Sequence, residues 1–209
     1  DYAEMMEFSE EPNDGDLIVA DTDNPGLLKI SNQANDQLIV GVASQNPAMV
    51  IGSYGVSIKG WAATTTKDGY PVYPLALAGR KIINVSNENG EIKSGDRITT
   101  SSLKGYGMKA TESGHTLGTA LGTLNSEIST ATVTLPDGTQ VKTGKILVFV
   151  NLGYSKLDSS ISSGQVSEGW TIDQTTGRLI TTYGLDLGGN SIQNVSAILS
   201  ASGNWRIGE

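Results

Sequence analysis

The amino-acid sequence predicts an all-β protein: a compact, barrel-like domain of many short strands with a possible internal repeat, followed by a β-rich fibrous tail. Three observations lead to this prediction. Short apolar runs recur along the chain, turn signals rich in Gly, Asn and Asp separate them, and two parts of the chain share the same order of motifs.

Each apolar run predicts one strand, because it alternates or clusters β-branched side chains between turn residues. The predicted strands lie, in order, in residues 16–21, 26–31, 36–44, 48–53, 56–62, 73–79, 81–86, 96–102, 107–111, 115–121, 130–135 and 144–153. The clearest hairpin signal is "LPDGTQ" (135–140), since an Asp-Gly pair between two β-rich runs favours a tight turn.

The internal repeat is a unit of a Gly-Asp turn, a strand, a Lys-containing strand and a strand with a central Gly. The matched segments are 13–19 with 93–99, 27–31 with 107–111, and 37–43 with 115–121. Gly-Asp before a strand is also a common turn by itself. The pattern therefore indicates either a duplication, or a pseudo-symmetric barrel, or separate turns of one common type.

The composition changes after Tyr154, and this change divides the chain into three predicted regions. Residues 1–154 form the β-rich domain, residues 155–169 are a polar Ser/Gly-rich linker, and residues 170–209 resemble one rung of a fibrous β-structure. Such a rung needs neighbours or partner chains to bury its apolar edge. We expect the natural protein to continue beyond Glu209.

Composition excludes several classes of function. The 209-residue chain has no Cys, one His (His115) and a net charge of −8. A thiolate site is impossible, a zinc site or Ser-His-Asp triad is improbable, and no cofactor or metal is expected. The negative charge argues against a nucleic-acid partner. The absence of a long apolar run argues against a membrane span.

The first residues, "DYAEMMEFSEE", are rich in carboxylates. If they form a helix, the spacing of Asp1, Glu4, Glu7 and Glu11 places these side chains on one face. Crowded carboxylates can share a proton and so supply an acid and a base for peptide hydrolysis. The alternative is a solvated acidic start of a helix. Because the chain begins at Asp1 rather than Met, we expect this end to come from a cut.

A second candidate segment is "ASQNPAMVIG" (43–52). Its Asn-Pro pair marks a turn, and the side chains of Ser44, Gln45 and Asn46 could donate hydrogen bonds to an oxyanion. A plain β-turn explains the same residues. A calcium loop at Asp21 and Asp23 is not supported, since the EF-hand spacing is missing.

The segments "DYAEMMEF" (1–8) and "QLIVGVASQNPAMVIG" (37–52) resemble the self-cleaving intramolecular chaperone domains of phage neck-appendage and tail-spike proteins, the peptidase G2 family. The run that begins "YPLALAGRKIINVS" (73–86) is also similar to domains embedded in large bacterial surface proteins. The resemblance implies a mostly β fold, a homotrimer, and an extracellular fibre or virion. It also implies help in folding the upstream part of the same polypeptide before one self-cleavage.

Carried over by motif, the resemblance places the cut just before Asp1 and makes Asp1 and Glu4 the catalytic carboxylates. Gln45 or Asn46 would position the scissile carbonyl. Either the Asp1 carboxylate activates a water or it attacks the preceding carbonyl directly, with Glu4 transferring protons. The domain would be spent after one turnover, so whether it counts as an enzyme is left open.

Two other functions fit the sequence. One is a non-catalytic structural or oligomerisation module of an extracellular fibre or adhesin, which the acidic, Cys-free, Gly- and Ser-rich composition suits equally well. The other is a carbohydrate-binding domain in which Trp61, Trp170 and Trp205 stack on sugars, although their wide spacing predicts no platform.

Overall fold

The computed structural model describes residues 1–52, 55–57, 64–66, 68–135, 137–156, 170–172 and 179–181. The described residues contain strands and no α-helix, which confirms the predicted all-β class. The chain divides into two units, Asp1–Asp158 and Ser159–Glu209. Within the described part, thirteen strands of the first unit form one mixed sheet.

The strands follow the apolar runs of the sequence closely. The first eight are β1 (Tyr2–Glu7), β2 (Leu17–Ala20), β3 (Leu28–Ile30), β4 (Ile39–Ala43), β5 (Met49–Gly52), β6 (Gly55–Ser57), β7 (Thr64–Thr65) and β8 (Pro71–Ser86). The next five are β9 (Arg97–Thr100), β10 (Gly107–Lys109), β11 (Gly114–Ala120), β12 (Ala131–Thr134) and β13 (Gln140–Ser155). Two runs predicted as separate strands, 73–79 and 81–86, form one strand, β8, because no turn interrupts them.

The sheet closes into two rings that share β8. In the first ring, the N-terminal half of β8 pairs with β1 and β4, β4 pairs with β2, and β2 pairs with β3. A parallel bridge between Phe8 and Leu28 closes this ring. In the second ring, the C-terminal half of β8 pairs with β13, followed by β11, β9 and β10. A parallel pairing of Gly107 with Val85 closes it. Each ring is therefore a small five-stranded barrel.

The two rings confirm the internal repeat, since equivalent residues make equivalent contacts. Gly15 donates its N–H to the Ala43 carbonyl at 2.9 Å. Gly95, its counterpart, donates to the Ala120 carbonyl at 2.8 Å. The carboxylates of Asp16 and Asp96 accept the N–H of the residue three positions before each of them, at 2.9 and 2.8 Å. The register also agrees, because Ile18 pairs with Gly41 as Ile98 pairs with Gly118.

Gly41 and Gly118 are glycines for the same steric reason. A Cβ on Gly41 would lie 2.7 Å from the Ala76 carbonyl oxygen. A Cβ on Gly118 would lie 2.1 Å from the Phe149 carbonyl oxygen. Both distances are far below van der Waals contact, so a side chain at either position would push two paired strands apart.

The core consists of two clusters of buried apolar side chains. The first ring encloses Phe8, Ile18, Leu28, Ile30, Ala43, Tyr73 and Leu75. The larger cluster combines Leu17, Val19, Ile39 and Val42 of the first ring with Ile83, Ile98, Val148 and other residues of the second. Burial of these side chains against one another, at about 25 cal/mol per Å² of apolar surface, joins the two barrels into one unit.

The helix considered for the N-terminal carboxylates is not present. Residues 2–7 form β1, which pairs with β5 on one side and with β8 on the other. Two flanking strands satisfy the backbone N–H and C=O groups of this segment, and this pairing overrides the helical spacing of its carboxylates. The hairpin predicted at 135–140 is confirmed, since Thr134 pairs with Gln140.

The second unit contributes one described pair of strands, β14 (Trp170–Ile172) and β15 (Leu179–Thr181), which run antiparallel. Residues 157–169 of the predicted linker and residues 173–178 and 182–209 of the predicted tail lie outside the described residues, as do Trp61 and Trp205. The described residues contain no helix with the length and apolar character needed to span a bilayer.

Candidate functional site around Asp1

The carboxylate of Asp1 is held by a buried hydroxyl. Ser44 Oγ donates to Asp1 Oδ2 with 2.6 Å between the two oxygens. Ser44 has no solvent exposure, and its own N–H donates to the Pro74 carbonyl at 3.0 Å, so it continues the pairing of β4 with β8. Because Ser44 is buried and its backbone is bonded to β8, its hydroxyl is held in place beside Asp1.

The backbone of Asp1 is fixed as well. Its carbonyl accepts the N–H of Ala48 at 3.1 Å. On the other side, Asp1 packs directly on Gly79, which has a φ of +98°. A Cβ on Gly79 would lie 3.0 Å from Asp1 Cα and 3.6 Å from Asp1 N. Only a glycine at position 79 therefore leaves room for the backbone of Asp1.

An ion pair between buried Lys81 and partly exposed Asp14 lies next to this contact. Lys81 is 8% exposed, and its Nζ lies 2.5 Å from Asp14 Oδ1. The same carboxylate oxygen accepts the backbone N–H of Gln45 at 2.6 Å. Since Gln45 directly follows Ser44, the pair anchors the turn that carries the serine.

Gln45 and Asn46, predicted to position a carbonyl, lie in this turn with exposed side chains. The contact that Gln45 makes with Asp14 uses its backbone N–H. The Asn46 side chain makes no hydrogen bond within the described residues. Their role as oxyanion donors stays a prediction.

Glu4 lies three residues along β1 from Asp1, with an exposed side chain. It stands opposite Leu75 of β8 and beside Ile51 of β5. In the part of the chain that the structure describes, its carboxylate has no hydrogen bond or ion pair. The structure therefore brings Asp1 together with Ser44 and shows no contact between Asp1 and Glu4.

A tyrosine close to this acidic turn has a shifted pKa. Burial raises the pKa of Tyr73 to about 12, and the negative charges of Asp14, Glu11 and Asp16 act in the same direction. Its ring packs edge-on against Phe8, with 6.4 Å between the ring centroids. Tyr73 thus carries a neutral hydroxyl at every physiological pH.

Other polar groups of the described residues are used by the fold. Asp21 and Asp23, weighed above as a calcium loop, both lie 3.2 Å from Lys29 Nζ. Hydrogen bonds from Asn24 and Ser9 hold the pKa of Asp21 well below its usual range. No group of three His, Cys, Asp or Glu side chains among the described residues has the geometry to hold a metal ion.

The remaining candidates also have structural partners. His115 is exposed and stacks edge-on against Tyr154, at 5.6 Å between the ring centroids. An open cleft of about 530 Å³ is lined by Glu10, Asp16, Lys104 and other polar residues. Lys104 pairs with Glu10 there, and Asp16 accepts a hydrogen bond from the Asn84 amide at 2.9 Å.

Sequence reasoning included Ser44 only as one donor among three, and it missed Asp14, Gly79 and Lys81. The sequence signal for Gly79 and Lys81 is the Gly-Arg-Lys segment (79–81) inside an apolar run, since a Gly and a Lys are unusual in a central strand. Asp14 and Lys81 are 67 residues apart, so no local pattern links them.

Comparisons of the chain with protein-family models, with curated proteins and with solved structures found no match. The contacts around Asp1 are therefore the main basis for a proposed function. They consist of an immobilised carboxylate, a buried hydroxyl donor and a partly buried ion pair beside them.

Proposed function

We propose that this chain is a single-turnover, self-cleaving domain of an extracellular fibre or virion, and that it cuts the peptide bond just before Asp1. The observation that supports this proposal best is the 2.6 Å hydrogen bond from buried Ser44 to the Asp1 carboxylate. The Asp1 nitrogen would form the peptide bond to the preceding residue. A carboxylate held in one orientation beside this nitrogen is well placed to take part in cleavage of that bond. The motif at residues 1–8 supports the same proposal.

In the first form of the reaction, the Asp1 carboxylate takes a proton from a water. The water oxygen bonds to the carbonyl carbon of the preceding residue, and the carbon–nitrogen bond then breaks. The proton passes to the leaving nitrogen, which becomes the free amine of Asp1, and the upstream chain ends in a carboxylate. Water is the only co-reactant.

In the second form, an Asp1 carboxylate oxygen attacks the preceding carbonyl carbon itself. Breaking the carbon–nitrogen bond leaves an anhydride between the upstream chain and the Asp1 side chain, and the leaving nitrogen takes a proton from a water, which becomes hydroxide. Water then hydrolyses the anhydride. Both forms require Asp1 and give the same products.

Ser44 has a positioning role in either form. Its hydrogen bond occupies Asp1 Oδ2 and leaves Oδ1 as the oxygen that meets water or the carbonyl. Asp14, which is paired with Lys81, accepts the N–H of Gln45 and so holds the turn that begins at Ser44. Glu4 is the weaker candidate, because its exposed carboxylate has no described contact with Asp1.

The direct test is to express a longer chain that includes residues upstream of Asp1, fold it, and measure intact mass over time. Self-cleavage predicts two products, one of which begins at Asp1. A chain that keeps its full mass after folding contradicts the proposal. A denatured sample is the control, because cleavage needs the folded contact between Ser44 and Asp1.

A second candidate function is a non-catalytic oligomerisation module, and a separate observation favours it. Ile82 pairs with Leu147, and Arg80 pairs with Phe149, on one outer face of the β8–β13 sheet. The apolar residues of these pairs are exposed: Ile82 by 54%, Leu147 by 37% and Phe149 by 46%. Leu121, which is 43% exposed, donates its N–H to the Leu147 carbonyl.

These four exposed apolar side chains lie close together, and the largest apolar patch on a protein surface is often functional. A second copy of this chain is the partner we consider, since three copies meeting at such a face would give the homotrimer implied by the resemblance. Sedimentation of the chain tests it: Phe149→Asp should yield monomers. An unchanged sedimentation coefficient, or a monomeric parent chain, would exclude this face.

A further inference from the structure

One edge of β8 has a gap in its strand pairing. Ala78 pairs with both Tyr2 and Asn151, and Val85 pairs with both Gly107 and Gly144. Because a strand residue has one neighbour on each side, β1 and β10 share the edge opposite β13. On that edge the described pairings stop at Ala78 and resume at Val85.

Toward the C-terminus of β8, the gap ends at Asn84. Asn84 donates its N–H to the Gly15 carbonyl at 3.0 Å, on this same edge. Backbone groups alternate between the two edges along a strand. Arg80 and Ile82 therefore direct their N–H and C=O groups to the edge that Asn84 uses. The position of Gly15 supports this direction for Ile82, because a Cβ on Gly15 would lie 3.2 Å from the Ile82 carbonyl oxygen.

The register of β1 decides what faces the gap. Tyr2 stands opposite Ala78, so Asp1 stands opposite Gly79, as their close packing shows. A chain that continues upstream of Asp1 in the same register places its last residue opposite Arg80. In an antiparallel pair of this kind, the two residues exchange both of their hydrogen bonds.

From this register we infer that the β8 edge at Arg80 binds the residue just upstream of Asp1 in an extended conformation, with the Arg80 N–H donating to the carbonyl just before Asp1. The inference rests on the proposed function, since that carbonyl belongs to the bond to be cut. A donor on this oxygen polarises the carbonyl and stabilises the charge that develops on it. Backbone recognition of this kind is strand addition to a sheet edge.

We call the binding position beside Arg80 on the β8 edge the slot. It can be tested without cleavage. Hydrogen exchange of the Arg80 amide is measured in the longer chain with Asp1→Asn and in the chain that begins at Asp1. One added hydrogen bond is worth about 0.5–1.5 kcal/mol, so we expect exchange of the Arg80 amide about 2 to 13 times slower with the upstream segment attached. The Lys81 amide, which points to the other edge, is the internal control and should not change.

Equal exchange of the Arg80 amide in both chains overturns the slot, whether or not the parent chain cleaves. Cleavage of the parent chain is read separately by intact mass, so the two proposals fail independently. A proline placed immediately before Asp1 removes the N–H that the slot requires and should abolish the protection of Arg80. A proline one residue further upstream should leave that protection in place, because its nitrogen points away from β8.

Discussion

Ser44 Oγ and Asp1 Oδ2 lie 2.6 Å apart, although 43 residues separate them in the chain. The contact exists because the turn after Ser44 leads into β5, which begins beside β1: Met49 pairs with Tyr2, and the Ala48 N–H donates to the Asp1 carbonyl.

Ser44→Ala removes the hydroxyl that orients Asp1. A hydrogen bond to a charged group contributes about 1.5–3 kcal/mol, so cleavage in the longer chain should slow by about 10- to 100-fold. The rate is followed by intact mass. Ser31→Ala is the matched control, since Ser31 is also fully buried but its hydroxyl has no described partner. Equal rates for the two variants would remove Ser44 from the mechanism.

Gly79→Ala tests the packing of Asp1 on β8. The added Cβ meets Asp1 Cα at 3.0 Å and displaces the carboxylate, so we expect cleavage to fall by about 100-fold. Gly90→Ala is the control, because Gly90 also has a positive φ, +92°, but nothing lies within 4 Å of its Cβ position. Both variants should lose about 1 kcal/mol of stability from backbone strain. Only Gly79→Ala should lose cleavage.

Lys81→Met breaks the partly buried ion pair and removes the cation that faces Asp14. We expect a loss of about 2 kcal/mol in the free energy of unfolding, less than for a fully buried pair because the Asp14 side chain is 36% exposed. Lys104→Met, which breaks the exposed pair with Glu10, should cost about 0–1 kcal/mol. Denaturant titrations of the two variants measure the difference. Equal losses would show that burial adds nothing to the Lys81 pair.

We expect Tyr73 to make the folded protein less stable at alkaline pH. Its pKa is about 12 in the folded chain, against 10.0 for an ordinary tyrosine, so the folded state holds this proton more tightly than the unfolded state. Stability should therefore fall as the pH rises from about 10 to about 12. Tyr73→Phe keeps the packing against Phe8 and should have a flatter stability curve over that range. Identical curves for the two proteins would refute the assignment.

Much of the fold could be predicted from the sequence because it depends on local patterns. Apolar alternation located the strands, and the Gly-Asp turns with Gly41 and Gly118 marked the repeat. The N-terminal strand was missed because its carboxylates have helical spacing, and only pairing with β5 and β8 makes residues 2–7 a strand.

The site could be predicted only in part. Asp1 and the turn at 44–46 were found through motifs, but Gly79, Lys81 and Asp14 depend on contacts between distant segments. Such contacts arise from the register of β8 with its neighbours, and neither composition nor spacing encodes that register.

The most direct measurement is the intact mass of the folded longer chain beside its Asp1→Asn and Glu4→Gln variants. We expect the parent chain and Glu4→Gln to yield a product that begins at Asp1, and Asp1→Asn to keep its full mass. Full mass in all three would contradict self-cleavage and leave the structural module as the function. Cleavage of Asp1→Asn at the parent rate would contradict the role of the carboxylate that Ser44 holds.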